Sequence, residues 1–244
     1  MTDNPSEIPN EIKRETRKRC AFGCIICGLP VFDYDHIVPY SKTREHSANN
    51  ITLLCQNHHR DKTNGRISME FIIQKNKNPF NSSRSKTAGH RLHIGGARLK
   101  AIIGSDRYVQ DMDQIGSRFD AITLEGIPLI YFEFEEGSIL IGATLYDKDR
   151  NVSLIIEKGE IQASTGSWDF ESSGTSFIIR SAPRNIDVVV DIQEDTISIT
   201  RCYLYSRNLA IKIDESDMIV VGPNFEMSVG GNYLENNGSG FSFG

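Results

Sequence analysis

The residues of this 244-residue chain that could do chemistry cluster in its first quarter. Cys24 and Cys27 form a C-x-x-C pair, and Cys55 and His58 form a C-x-x-H pair after a gap of 27 residues. Two such pairs supply the four ligands of a tetrahedral Cys₃His zinc site, with Zn–S bonds of about 2.3 Å that both sulfurs of one knuckle can reach. Buried apolar thiols are the alternative, but two pairs sharing metal-ligand spacing argue against it. Cys20 offers a less usual C-x-x-x-C replacement within the first pair. Asp35 and His36 lie between the pairs and are not needed by such a site, and His59 directly follows His58. On a helix after Cys55, adjacent residues stand about 100° apart around the axis, so His58 and His59 cannot point at one ion. Spacing gives His58 to the zinc and frees His59 for a second site with Asp35 and His36.

Asp35-His36-Ile37-Val38-Pro39, then Asn50, then Leu54-Cys55-x-x-His58-His59 resembles the HNH nucleases of ββα-metal fold, over roughly residues 12–68. That family joins a zinc knuckle, an Asp-His pair followed by an apolar residue and often Pro, an Asn, and Leu-Cys-x-x-Cys-His. His58 stands where the family usually has Cys, which turns a Cys₄ site into Cys₃His. The resemblance implies DNA as substrate and His36 as the general base that takes a proton from the attacking water. It implies Asp35 and His59 as ligands of a catalytic divalent ion, Mg²⁺ or another. Asn50 is implied to orient His36 or to fix the active-site loop. A histidine base suits the task because its ordinary pKa of about 6.5 leaves it largely neutral near pH 7. The ion would neutralise charge on the phosphate and stabilise the leaving oxygen. Adjacent residues of a regular strand face opposite sides, so Asp35 and His36 must lie at a strand end or irregularity.

Lys62 and Arg66 follow His59 at i+3 and i+7, one side of a helix, and beside this motif they are expected to contact DNA phosphates. Arg44 and His46 are candidates for DNA or for solvent. His90 and His93 read as surface or packing residues, and Trp168 and Cys202 as core of the second half. A rival reading is a non-catalytic, zinc-stabilised nucleic-acid-binding module with a β-rich interaction domain. Such a module needs the zinc ligands and basic residues but has no use for Asp35, His36, Asn50 and His59 together.

The elements that must position these residues read as follows. Residues 8–19 predict a short helix, with Asn10 as N-cap and a basic surface from Lys13, Arg14, Arg17 and Lys18. Residues 20–55 are short apolar pieces broken by Gly, Pro and Asn, as in a hairpin. A helix of about three turns is expected after Cys55, ending near Asn64-Gly65. Residues 74–87 read as a loop. Residues 88–120 are ambiguous, with a short helix open to Ala97–Ile103.

From about 122 the period becomes two: Ile130, Phe132 and Phe134 alternate with Tyr131, Glu133 and Glu135, and Ile186, Val188, Val190 and Ile192 repeat the pattern. The expected class is therefore α+β, a ββα-metal domain with structural zinc followed by an all-β sandwich or β-solenoid. The expected divisions are 1–85 for the nuclease, 86–121 for a linker or connecting helix, and 122–244 for an all-β regulatory or assembly domain.

Charge divides the chain in the same way. Residues 1–110 carry 18 Lys/Arg against 10 Asp/Glu, and the remainder carries -13, giving the net -5 of the whole. The basic half points to a polyanion as partner. The acidic half is open to sensing a ligand or protein, to assembling a homo-oligomer, or to targeting. Nuclease–regulator architecture suggests defence against phage or foreign DNA, by analogy alone. No apolar run approaches the roughly 20 residues that span a bilayer. The polar Met1–Pro5 has no secretory character, so a cytoplasmic protein without membrane contact is expected.

Overall fold

In the computed structural model, which describes residues 7–244, the chain forms two compact units. One runs to Gly89 and also contains Ala163–Glu171; the other comprises His90–Gln162 and Ser172–Gly244. The reading of Met1–Pro5 lies outside the described residues.

In the first unit, helix α1 spans Asn10–Arg19. Its cap is Pro9 at φ -57, and Asn10 is the first helical residue, not the cap. Proline fixes φ near -65° and so pre-sets the helix start without a side-chain cap. Strand β1 (Asp33–His36) pairs antiparallel with β2 (Ile51–Leu54), which is buried along its whole length. Between them lies a single turn, α2 (Tyr40–Thr43), entered through Pro39. Helix α3 (Gln56–Thr63) starts directly after Cys55 and closes at Asn64, with Gly65 at φ +70 just beyond, as the Asn-Gly pair foretold. The order β1–β2–α3 is the ββα unit. A further helix, α4 (Met69–Lys77), occupies part of the stretch expected as loop. Its Ser68 cap accepts from the Phe71 backbone N–H at 3.2 Å, and Ile72 is fully buried. That cap and that single anchor outweigh the Asn- and Lys-rich composition.

The second unit is β apart from one helical turn at Met112–Ile115. Residues 86–121, expected to link or connect as a helix, instead hold a hairpin of strands Arg98–Ile103 and Asp106–Asp111, and the strand Arg118–Leu124. Leu99, Ala101 and Ile103 are buried while their neighbours are more exposed, so Arg98–Ile103 obeys a period of two. Thr196–Tyr205 joins the ladders. Its first half pairs parallel with Arg98–Ile103 and its second half antiparallel with Ala210–Asp214. The ladders close on one another, and antiparallel pairs between sequence neighbours dominate where a solenoid would stack parallel rungs. Cys202 is core, as expected. Among the described residues no helix is long and apolar enough to cross a membrane.

Candidate active site and metal centre

The zinc set is assembled by three short pieces of backbone. The knuckle carrying Cys24 and Cys27 is tied by Gly28 N–H to Cys24 O at 2.8 Å and Cys24 N–H to Leu29 O at 2.9 Å. Gly28 sits at φ +79, and a Cβ there would stand 2.3 Å from Asn81 Oδ1, so position and conformation both demand glycine. Cys55 caps α3, and His58 lies one turn into it. Cys24, Cys27, Cys55 and His58 bring their ligand atoms within 4.8 Å of one another. Cys27 Sγ lies 3.7 Å from Cys55 Sγ, and His58 Nδ1 lies 3.2 Å from Cys55 Sγ and 3.4 Å from Cys24 Sγ. Zn–S bonds of about 2.3 Å at tetrahedral angles place sulfurs roughly 3.7 Å apart, so the set fits a structural zinc.

The chemistry of the donors points the same way. Hydrogen bonds from Cys24 and Cys27 hold the Cys55 thiol far below its ordinary value, while those with Cys24 and Cys55 push Cys27 far up. Crowded thiols share one negative charge in this way until a cation takes the place of their protons. Cys20 is no ligand: it is fully buried against Thr52, with burial raising its pKa.

The second cluster lines a cleft of about 500 Å³ with Tyr34, Asp35, His36, His59 and Lys62 among its walls. β1 ends at His36, which lets Asp35 and its neighbour both border the cleft despite strand alternation. Asp35 Oδ1 is 3.3 Å from His59 Nε2. Lys62 donates to Asp35 Oδ2 and to the His36 carbonyl oxygen. Lys62, expected as an exposed phosphate contact, is therefore built into the cleft wall with 17% of its side chain exposed. Arg66 is well exposed and pairs with Asp61 at 3.1 Å.

Asn50 does not touch the His36 ring. Its Oδ1 accepts from Val38 N–H at 2.8 Å and its Nδ2 donates to Val38 O at 3.0 Å, clamping the backbone that follows β1. The ring partner of His36 is His46, whose Nδ1 is 3.2 Å from His36 Nε2 and which stacks on Tyr40 at 4.6 Å. Burial first, and the His46 charge second, lower the His36 pKa, so its imidazole is neutral near pH 7. His46 gave no signal beyond its type, since nothing in a loop fixes where its ring goes.

Two expectations fail, one for α1 and one for the second half. Arg17 is buried, not part of a basic surface, and Trp168 belongs to the first unit, where Arg14 lies 3.5 Å over its ring. The α1 guanidiniums serve as internal staples: Arg19 reaches Asn76 Oδ1 at 2.6 Å and Ala48 O at 2.9 Å.

A neutral imidazole, a carboxylate beside a second imidazole, and an ammonium around one cleft are the equipment of metal-assisted hydrolysis. No curated protein and no solved structure matches the chain. Residues 24–65, which hold both ligand pairs, Asp35, His36, Asn50, His59 and Lys62, match the family model of the HNH endonuclease.

Proposed function

We propose that the HNH domain hydrolyses phosphodiester bonds of DNA, with His36 as general base and Asp35 and His59 holding a catalytic divalent ion. The observation that carries this reading is the 3.3 Å approach of Asp35 Oδ1 to His59 Nε2 in the cleft that His36 also lines. Cis ligands of an octahedral ion at about 2.1 Å stand roughly 3 Å apart, which this pair suits; a carboxylate with substrate phosphate suits Mg²⁺, and the added imidazole suits a transition-metal ion. When bound, the ion supplies charge neutralisation at the phosphate and at the leaving oxygen.

The remaining roles belong to the chain itself. His36 Nε2 and His46 Nδ1, 3.2 Å apart, share a hydrogen bond that holds the His36 ring in place for taking the proton of water. Asn50 holds the turn after β1 through Val38, and so acts on His36 through the backbone. Lys62 spends two of its three N–H donors on Asp35 and the His36 carbonyl, fixing the carboxylate and leaving one donor for a phosphate oxygen. Arg66 meets the DNA backbone outside the cleft. The zinc carries no step and holds β2, α3 and the knuckle together. Residues 111–244, at -13, repel phosphates and are assigned regulation or assembly, with defence against foreign DNA as the setting.

The test is plasmid nicking by zinc-loaded protein with and without added Mg²⁺ or Mn²⁺, alongside His36→Ala. Metal-dependent nicking that the variant lacks supports the reading. DNA binding without cleavage under every ion would leave the binding-module reading in its place.

A further inference from the structure

The first unit contains a piece of chain that the HNH segment does not supply. Residues Ala163–Glu171 come about a hundred residues after it, running from the end of the strand Glu160–Ala163 into the start of the strand Asp169–Ser173 of the acidic half, yet they pack as part of the first unit. Backbone bonds moor them: Thr87 N–H to Ala163 O at 2.9 Å, and Thr165 N–H to Ser85 O at 3.0 Å. Phe170, fully buried, meets Phe22 and Phe32 edge-on at 6.3 and 6.5 Å.

The central contact is ionic. Asp169 takes Arg17 Nε at 2.9 Å and Nη2 at 2.6 Å in a two-pronged pair, with side chains 3% and 6% exposed. The remaining prong of Arg17, Nη1, donates to the Tyr34 hydroxyl at 2.5 Å. Tyr34 lines the cleft and is bonded in sequence to Asp35. An apolar pair would fill the same space without the cost of desolvating two charges. A planar fork gripped at two points adds orientation that an apolar contact lacks, and its third donor carries that orientation to β1.

We propose that Asp169 is a positioning residue of the cleavage site, acting through Arg17 and Tyr34, and that 163–171 is the strap by which the acidic half governs the HNH domain. The proposal rests on the nuclease reading. The strap sets the end of β1, where Asp35 and His36 must both face the cleft. A movement of that strand by about 1 Å is enough to change a rate by about 10²-fold without touching the reacting groups.

The experiment uses full-length protein carrying Asp169→Asn, Tyr34→Phe, or both. Asp169→Asn keeps the shape and loses the charge. Tyr34→Phe keeps the ring and loses only the acceptor for Arg17, so it stays folded if the first variant does not. Zinc content and DNA affinity are measured beside single-turnover nicking, and the ¹⁵N shifts of the His36 ring report its setting without any turnover. The expected result is a rate at least tenfold lower in each single variant, with zinc content and DNA affinity kept and the His36 resonances moved. The double variant should lose no more than the worse single one, because both act through Arg17. Wild-type nicking and unmoved His36 shifts in Tyr34→Phe, or additive losses in the double variant, would overturn the proposal. A wild-type protein that cleaves nothing defeats the nuclease reading alone, and the coupling is then decided by the His36 shifts.

Discussion

Adjacent histidines with opposite tasks give a sharp test of the two metal sites. His58 Nδ1 stands 3.2 and 3.4 Å from two cysteine sulfurs, whereas His59 Nε2 approaches only Asp35, at 3.3 Å. Structural zinc contributes apparent folding free energy of roughly 10–16 kcal/mol, as large as the whole stability of a typical domain at about 5–15 kcal/mol. His58→Ala removes one of four ligands and leaves three cysteines, two of them nearly or fully buried, without their cation. The HNH domain should then lose its zinc and unfold. His59 has 42% of its side chain exposed, and its partner Asp35 keeps Lys62. The imidazole stands largely in water and Asp35, 12% exposed, keeps its Lys62 partner, so His59→Ala should melt within a few degrees of the parent and keep one zinc. It should nonetheless lose nicking. Elemental analysis, circular dichroism melting and plasmid nicking on the two purified variants decide the matter. Loss of zinc from His59→Ala, with zinc kept in His58→Ala, would show that the two histidines have been given each other's roles.

Further outcomes follow from the cleft. His36→Ala should lower nicking by about 10²–10⁴-fold with DNA affinity and melting temperature close to the parent's, since a general base acts on the barrier; wild-type cleavage by this variant would remove His36 from the mechanism. Burial and the neighbouring His46 charge both favour the neutral ring, so the acid limb of a pH–rate profile should fall below the ordinary histidine range. His46→Leu removes the charge that lowers the His36 pKa, so the limb should move to higher pH. It should also cut the rate, because Nε2 loses its ring partner, while His46→Asn, which can still hydrogen-bond, should recover part of the loss. An acid limb that stays in place in His46→Leu would separate the two rings.

What could be read from the sequence is what short-range geometry controls. The zinc set is legible because each ligand pair sits within one knuckle or one helical turn, and the 100° step between His58 and His59 follows from the helix alone. The end of β1 at His36 follows from requiring two neighbours to face one cleft. Arg17 is not legible as a buried residue because α1 looks basic all round, and only a partner 152 residues away turns that arginine inward. Lys62 was placed on the right side of α3, but its reach back to Asp35 depends on how α3 packs on β1. Ala97–Ile103 carries Ala, Arg, Leu and Lys, good helix formers, and pairing with Asp106–Asp111 and Thr196–Tyr205 decided against them.

An acidic half that masked the basic half would yield a faster nuclease when removed near residue 85. The packing of 163–171 argues for the opposite. A chain ended there loses Asp169, the two-pronged partner of Arg17, and Phe170, which packs edge-on against Phe22 and Phe32. Removing a buried phenylalanine costs about 3–5 kcal/mol, a large share of the roughly 5–15 kcal/mol that hold an ordinary domain. The fragment should bind zinc weakly, melt broadly and nick DNA more slowly than the full chain. Supplying a peptide of residues 160–173 in trans should restore part of the melting transition, since the Phe170 and Asp169 contacts need no covalent link. A fragment ending near 85 that keeps one zinc, melts cooperatively at the parent's temperature and nicks at least as fast would show that the strap adds nothing to the domain it lies in.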